Sequence, residues 1–268
     1  MRLLPYSHKS LLFLLFFILY HQVAVTIFAQ PAARPVKFDL PATFLTEPDK
    51  VEDRTPDSTL LNTLIDLTNA TPAGDTIYVC IFKFNLRSMA DALLNAQERG
   101  VVVRMIADEG KTSKETNRDI KSYLGQQLTE IHYFRNDLSK KSIIHSKFML
   151  FSAVITEEGL RNHILAQTSS NFQDEDLEKI QDLLVLENAR LYAAYRSYWQ
   201  TLRHNGLEEA FNTFDFYSSD LVEGKYRAHF FPMREEGEEL EKDPVVQLLK
   251  RIREPAKAKL RIAMGKWG

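Results

Sequence analysis

The 268-residue chain has little of several features that would otherwise indicate its class. Its single cysteine, Cys80, excludes an intrachain disulfide. The formal net charge is only −2, which argues against a protein whose whole surface binds nucleic acid, although a local basic cleft remains compatible. No group of His, Asp and Glu has metal-ligand spacing, so we expect neither a metal nor another cofactor.

The N-terminus has the residue order of a secretory signal. Two basic residues, Arg2 and Lys9, precede apolar residues that continue to Ala29. This order predicts a signal peptide over residues 1–29, cleaved after Ala29, and therefore a secreted or periplasmic protein. An uncleaved membrane anchor is the alternative, but His21 interrupts the run before it reaches the roughly 20 apolar residues that a spanning helix needs.

Three further segments follow. Residues 30–56 contain five prolines and few apolar runs, which predicts an extended lead-in rather than a packed element. The folded domain is expected over residues 57–232. Residues 243–268 repeat the helix-then-strand pattern that begins at Asp57, which predicts the start of a second, incomplete repeat; a chance similarity is the alternative.

Helical and strand patterns alternate within the predicted domain. The strands are predicted at 76–84, 101–108, 131–134, 148–154, 163–166 and 183–186. A strand, a helix and a strand joined by short turns imply parallel pairing with a right-handed crossover. The predicted fold class is therefore α/β, with a mixed, mostly parallel sheet flanked by helices. The last helix has Asn188 as its predicted N-cap and an aromatic stripe that indicates core packing.

The most informative residues lie in the apolar run at 143–152, where His145 and Lys147 stand two positions apart. If this run is a strand, its period of two places both side chains on the same face. A neutral imidazole can attack phosphorus, and an ammonium can stabilise charge on the phosphate oxygens. Ser169 and Asn171 follow the next predicted strand and supply further donors.

A nucleophilic imidazole needs its second nitrogen held, preferably by a carboxylate. Asp182 opens the apolar strand predicted at 183–186 and is our candidate for that role. His-x-Lys and Ser-x-Asn are each weak signals alone, typical of surface strands and polar turns. Their order along the chain is what favours a phosphate site.

That order resembles the phospholipase D superfamily, whose motif reads His-x-Lys, four residues, Asp, and then Gly-Ser-x-Asn or Gly-Ser-x-x-Asn. The resemblance covers about residues 57–205 and implies the following roles. His145 is the phosphohistidine nucleophile, Lys147 and Asn171 bind phosphate, Ser169 supports them, and Asp182 orients the histidine.

The chain departs from the family pattern at two positions. Ser152 stands where the family has its motif aspartate, and Thr168 stands where it has the glycine. The family aspartate is thought to be largely structural. The departures therefore bear on activity more than on fold.

Together with the predicted signal peptide, the resemblance implies an exported phosphodiesterase that hydrolyses or transfers the phosphodiester bonds of phospholipids. A nuclease of the same superfamily and a non-catalytic phosphate-binding half-module are the alternatives. Family members use two facing motifs, so a homodimer or a missing second repeat would complete the site. Six basic residues form either a rim for an anionic substrate or a solvated surface: Lys111, Lys114, Arg118, Lys121, Lys140 and Lys141.

Overall fold

A seven-stranded mixed sheet lies at the centre of the protein. The structure is a computed structural model that describes residues 32–110, 112–134, 144–207, 219, 222, 225–230 and 244–257. The strands are β1 (Ala42–Leu45), β2 (Thr76–Ile81), β3 (Val102–Asp108), β4 (Glu130–Phe134), β5 (Phe148–Thr156), β6 (Gly159–Thr168) and β7 (Asp182–Glu187). The helices are α1 (Pro48–Glu52), α2 (Thr59–Asn69), α3 (Arg87–Glu98), α4 (Lys114–Leu124), α5 (Ala189–Leu207) and α6 (Pro244–Leu249), with 3₁₀ turns at Asp174–Glu178 and Pro255–Lys257.

The strand order is β1-β7-β6-β5-β2-β3-β4. Parallel pairing joins β2 to β3 and β3 to β4, and the other four pairings are antiparallel. The predicted α/β class with a mixed sheet is confirmed, but the expected mostly parallel pairing is wrong. The two residues at 157–158 join β5 to β6, and so short a connection allows only an antiparallel pair.

Helices cover both faces of this sheet. The apolar sides of α2, α3 and α4 pack on one face, and α5 packs on the other. The central strands are buried on both faces, which explains why β2 and β5 read as nearly continuous apolar runs. This arrangement leaves the strand ends and the connections beyond them available for polar side chains.

Helix α5 confirms its sequence prediction. The Asn188 side-chain oxygen accepts hydrogen bonds from the backbone N–H groups of Arg190 and Leu191, as an N-cap does. The predicted aromatic stripe is core, and Trp199 in it donates its indole N–H to the Val79 carbonyl at 2.9 Å.

The predicted lead-in is more structured than expected. Strand β1 pairs with β7 at the edge of the sheet, and Val36 is buried where it bridges to Thr156. Proline spacing did not reveal this, because an edge strand leaves one side of its backbone unpaired and tolerates proline nearby. The predicted signal peptide at 1–29 lies outside the described residues. Of the predicted second repeat, α6 is present, and the strand expected after it also lies outside them.

Among the described residues, no helix combines the length and apolar character needed to cross a membrane.

Candidate active site

The His-x-Lys segment lies just before β5, not within it. Residues 144–147 form no strand ladder, and the last regular pair between β2 and β5 joins Cys80 to Phe148. The expectation that a strand would carry His145 and Lys147 is therefore wrong, although the two residues still stand together. Strand β2 ends at Ile81, and the segment is held by other contacts.

Three contacts fix this segment. The Ile144 N–H donates to the buried Asp108 carboxylate at 2.8 Å, which anchors the residue before the histidine. The hydroxyl of Ser146 bonds the Tyr198 hydroxyl of α5 at 3.1 Å. The Thr168 N–H donates to the Lys147 carbonyl at 3.2 Å. The residues on either side of His145 are thus held from β3, α5 and β6.

His145 and Lys147 surround the ring of Phe82, the residue that follows β2. The imidazole and phenyl centroids are 4.8 Å apart in an edge-to-face arrangement, and the Lys147 ammonium is 5.4 Å from the phenyl centroid. His145 reaches solvent, whereas Lys147 is only 5% exposed and donates to the His145 carbonyl at 2.7 Å. An ammonium has three donors, so two are available for a phosphate.

The electrostatics of this pair suit nucleophilic attack. Partial desolvation and the neighbouring Lys147 hold the pKa of His145 below its ordinary value, although the Asp176 carboxylate opposes them. The imidazole is therefore neutral near pH 7 and has a free electron pair. Burial lowers the pKa of Lys147 to about 8, so its ammonium is still charged at neutral pH.

Asn171 contacts Lys83, the residue after Phe82, and is held by a buried acid that the sequence did not indicate. The buried Asp176 carboxylate accepts hydrogen bonds from the Asn171 backbone N–H at 2.7 Å and side-chain amide at 2.8 Å. The Asn171 side-chain oxygen accepts the Lys83 N–H at 3.1 Å. Asn171 therefore joins the end of β2 to the turn after β6.

Asp176 is the ionised carboxylate of the site. Burial acts to raise its pKa, but hydrogen bonds from Lys179, Asn171 and Gln173 outweigh burial, and the pKa lies below its usual value. Its negative charge raises the pKa of both His145 and Lys147. Asp176 lies in the 3₁₀ turn Asp174–Glu178, where a row of acidic residues reads from sequence as solvated surface.

Asp182 occupies a different position from the predicted one. It is exposed, and its carboxylate accepts the Ser169 N–H at 3.2 Å, while its own N–H donates to the Ser169 hydroxyl at 2.9 Å. No hydrogen bond joins Asp182 to His145 among the described contacts. The structure thus brings His145, Lys147 and Asn171 together and places Ser169 and Asp182 as a pair at the adjoining turn.

Ser152 takes part in a structural contact. Its hydroxyl accepts the Thr76 N–H at 2.8 Å and donates to the Asp75 carboxylate at 2.7 Å. This contact lies at the start of β2, away from the end that carries His145.

The described residues contain no group of three or more His, Cys, Asp or Glu side chains positioned to hold a metal ion. The donors of the site are instead an ammonium and an amide, which suit an anion such as phosphate. The chemistry that this arrangement supports is attack by a neutral imidazole on a phosphorus whose oxygens are held by those donors.

A sequence profile of the family described as "Cardiolipin synthase, PLD-like domain" matches residues 64–203. None of the curated proteins compared with the chain matches it.

Two solved structures are similar to the chain. NucT from Helicobacter pylori is 21% identical, with a TM-score of 0.44, over 62% of this chain and 94% of that one. Nuc from Salmonella typhimurium, described as a phospholipase D family member, is 18% identical, with a TM-score of 0.42, over 62% of this chain and 95% of that one. Because the family profile matches just over half of its residues, this chain belongs to the phospholipase D superfamily of phosphodiesterases.

Proposed function

We propose that the protein cleaves phosphodiester bonds through a covalent phosphohistidine at His145. One observation carries this proposal: a neutral imidazole stands beside a buried, charged ammonium and a held amide. These are the nucleophile and the oxygen-binding donors that phosphoryl transfer needs.

The reaction has two steps. A nitrogen of His145 attacks phosphorus, so a P–N bond forms and the P–O bond to the leaving alcohol breaks. Lys147 and Asn171 hold the non-bridging oxygens, whose charge is greatest in the transition state. Water then attacks the phosphohistidine and gives a proton to the group that protonated the leaving alcohol, while the P–N bond breaks and the imidazole is freed. Another alcohol in place of water gives transfer instead of hydrolysis.

The leaving oxygen needs a proton, and this comes from a general acid. We propose that a second His-x-Lys motif supplies it, from a second copy of this chain or from a further repeat. In a homodimer the two His145 residues would face one another in one shared site, where one attacks phosphorus and the other protonates the leaving oxygen. Gel filtration with light scattering tests this part, since a monomer with full activity contradicts a shared site.

For the substrate we propose a phospholipid. The described basic residues of the candidate rim lie on α4, and two of them are already paired: Arg118 with Glu115 at 2.6 Å, and Lys121 with Glu109 at 2.5 Å. A helix whose basic side chains are paired in this way should bind nucleic acid weakly, because nucleic-acid binding depends on many free cations. Lys111, Lys140 and Lys141 lie outside the described residues.

Export is part of the same proposal, because the order of residues 1–29 is typical of a signal peptide. Expression of the full chain followed by cell fractionation and N-terminal sequencing tests it. A mature protein that begins at Gln30 is expected. Intact protein retained in the cytoplasm contradicts it.

The enzymatic test compares wild type with His145→Ala on phosphatidylcholine vesicles, with choline release as the measurement. We expect release by wild type and none by the variant. His163→Asn is the matched control, because His163 lies on β6 far from the site and has a positive φ that asparagine tolerates. Cleavage of DNA without choline release would replace the lipid substrate by nucleic acid. Equal signals from wild type and His145→Ala would remove the catalytic proposal.

A further inference from the structure

Lys83 is a third basic residue at the site, directly after Phe82 at the end of β2. Its ammonium is 5.9 Å from the Phe82 ring centroid. The same ring has the Lys147 ammonium at 5.4 Å and the His145 imidazole at 4.8 Å. The three groups therefore gather around one phenyl ring.

The backbone of Lys83 is fixed by the site itself. Its N–H donates to the Asn171 side-chain oxygen, and its carbonyl accepts the Phe172 N–H, each at 3.1 Å. The adjacent Phe84 is buried, and its N–H donates to the Asn117 side chain at 2.6 Å. The chain at Lys83 is thus held rigidly on both sides, so the start of the lysine side chain is fixed relative to Asn171.

The charge balance around Lys83 is uneven. Among the described residues it forms no ion pair, and the nearby Asp176 carboxylate already accepts hydrogen bonds from Lys179, Gln173 and Asn171. Lys83 lowers the pKa of both His145 and Lys147, because positive charges at these three positions repel one another. A bound anion between the two lysines would relieve that repulsion.

We propose that Lys83 is a second phosphate-binding lysine, which holds a non-bridging oxygen of the same phosphoryl group as Lys147. This inference rests on the proposed function and adds a residue to it that lies outside the His-x-Lys and Ser-x-Asn motifs. With two ammoniums and one amide on the phosphoryl oxygens, the site favours the transition state, in which those oxygens carry more charge than in the substrate.

The test uses the full-length protein and two probes, tungstate as a phosphate mimic and bis(4-nitrophenyl) phosphate as a diester. We expect Lys83→Gln to weaken tungstate binding by about 10- to 100-fold in titration calorimetry, the loss typical of one charge-assisted hydrogen bond. Its kcat/KM should fall by about 10- to 100-fold, mainly in kcat. Lys83→Arg should stay within about threefold of wild type, because it keeps the charge.

Lys37→Gln is the matched control. Lys37 is exposed, and it follows Val36, which bridges to Thr156 at the far end of β5. At about 3.3 Å per residue, that end of β5 lies roughly 26 Å from the end next to His145. It should match wild type in both measurements. Equal tungstate affinities for wild type and Lys83→Gln overturn the inference, as does a wild-type protein that does not bind tungstate.

The two proposals fail separately. If His145→Ala abolishes turnover and Lys83→Gln changes nothing, the phosphodiesterase stands and the role of Lys83 falls. If wild type binds tungstate through Lys83 and turns over no diester, the anion site stands and the catalytic proposal falls.

Discussion

Asp176 accepts both the backbone and the side-chain N–H of Asn171, and its charge also acts on His145. One buried carboxylate therefore positions the amide of the site and sets part of its electrostatic potential. This relationship makes Asp176 a positioning residue for a reaction that it does not itself touch.

We expect Asp176→Asn to lower the pKa of His145 further, because the variant removes the charge that raises it. Loss of a buried partner for Asn171 should also reduce kcat/KM by about 10- to 100-fold. NMR titration of the His145 ring measures the first effect, and diester hydrolysis measures the second. If Asp176 had only a structural role, the pKa of His145 would be the same in Asp176→Asn as in wild type.

Asp182→Asn is the comparison for that experiment. Since the Asp182 carboxylate accepts the Ser169 N–H, its loss should leave the His145 pKa unchanged. A shift in Asp182→Asn and none in Asp176→Asn would instead support the role that the family resemblance implies for Asp182.

The pH dependence of kcat/KM should be bell-shaped. Desolvation and Lys147 lower the pKa of His145, so activity should persist below pH 6.5, where an ordinary histidine becomes protonated. On the alkaline side activity should fall with a midpoint near 8, as Lys147 loses its charge. Lys147→Arg should shift the alkaline limb, since arginine stays charged and only loss of the proton from the general acid then limits activity. An alkaline limb unchanged in that variant would contradict the assignment to Lys147.

Burial of Lys147 should reduce the stability of the protein. Its pKa is lowered from 10.5 to about 8, so between those values the unfolded chain binds the proton and the folded chain does not. Above pH 10.5 Lys147 therefore does not reduce the free energy of unfolding. That free energy decreases as the pH falls from 10.5, and the loss is complete once the pH has fallen through 8. We expect Lys147→Met to raise the free energy of unfolding by roughly 2–3 kcal/mol at pH 7 while abolishing activity.

Urea unfolding at several pH values measures this effect. The advantage of Lys147→Met should be largest below pH 8 and should shrink as the pH approaches 10.5. Lys37→Met is the control, because the exposed Lys37 carries no such cost. A variant less stable than wild type at pH 7 would show that the ammonium contributes more through its contacts than it costs through burial.

The contact between Ser152 and Asp75 predicts a swap experiment. Ser152→Asp alone should destabilise the protein by about 1–2 kcal/mol, because it places two carboxylates together. Combining it with Asp75→Ser should restore most of that loss, since only one carboxylate remains and a hydroxyl again donates to it. Urea unfolding of the two single variants and the double variant measures the coupling. All three should keep kcat/KM within about threefold, and a large loss in Ser152→Asp alone would tie this position to catalysis.

Much of the framework was predictable from sequence. Each of the six predicted strands is present, because their apolar runs are bounded by turns and fill a sheet covered on both faces. The pairing of those strands was less predictable, since apolar strands of this kind fit parallel and antiparallel neighbours equally well. Strand β1 was missed because an edge strand needs no apolar run.

For the site, the chain itself determined that His145, Lys147 and Asn171 would meet, because each adjoins one end of two hairpin-paired strands, β5 and β6. Only the tertiary structure decided which other groups join them. Lys83 comes from the end of β2, Asp108 from the end of β3 and Asp176 from a 3₁₀ turn. Local sequence carries the periodicity that forms strands and turns, whereas proximity between distant segments depends on strand order, which is set by packing over the whole sheet.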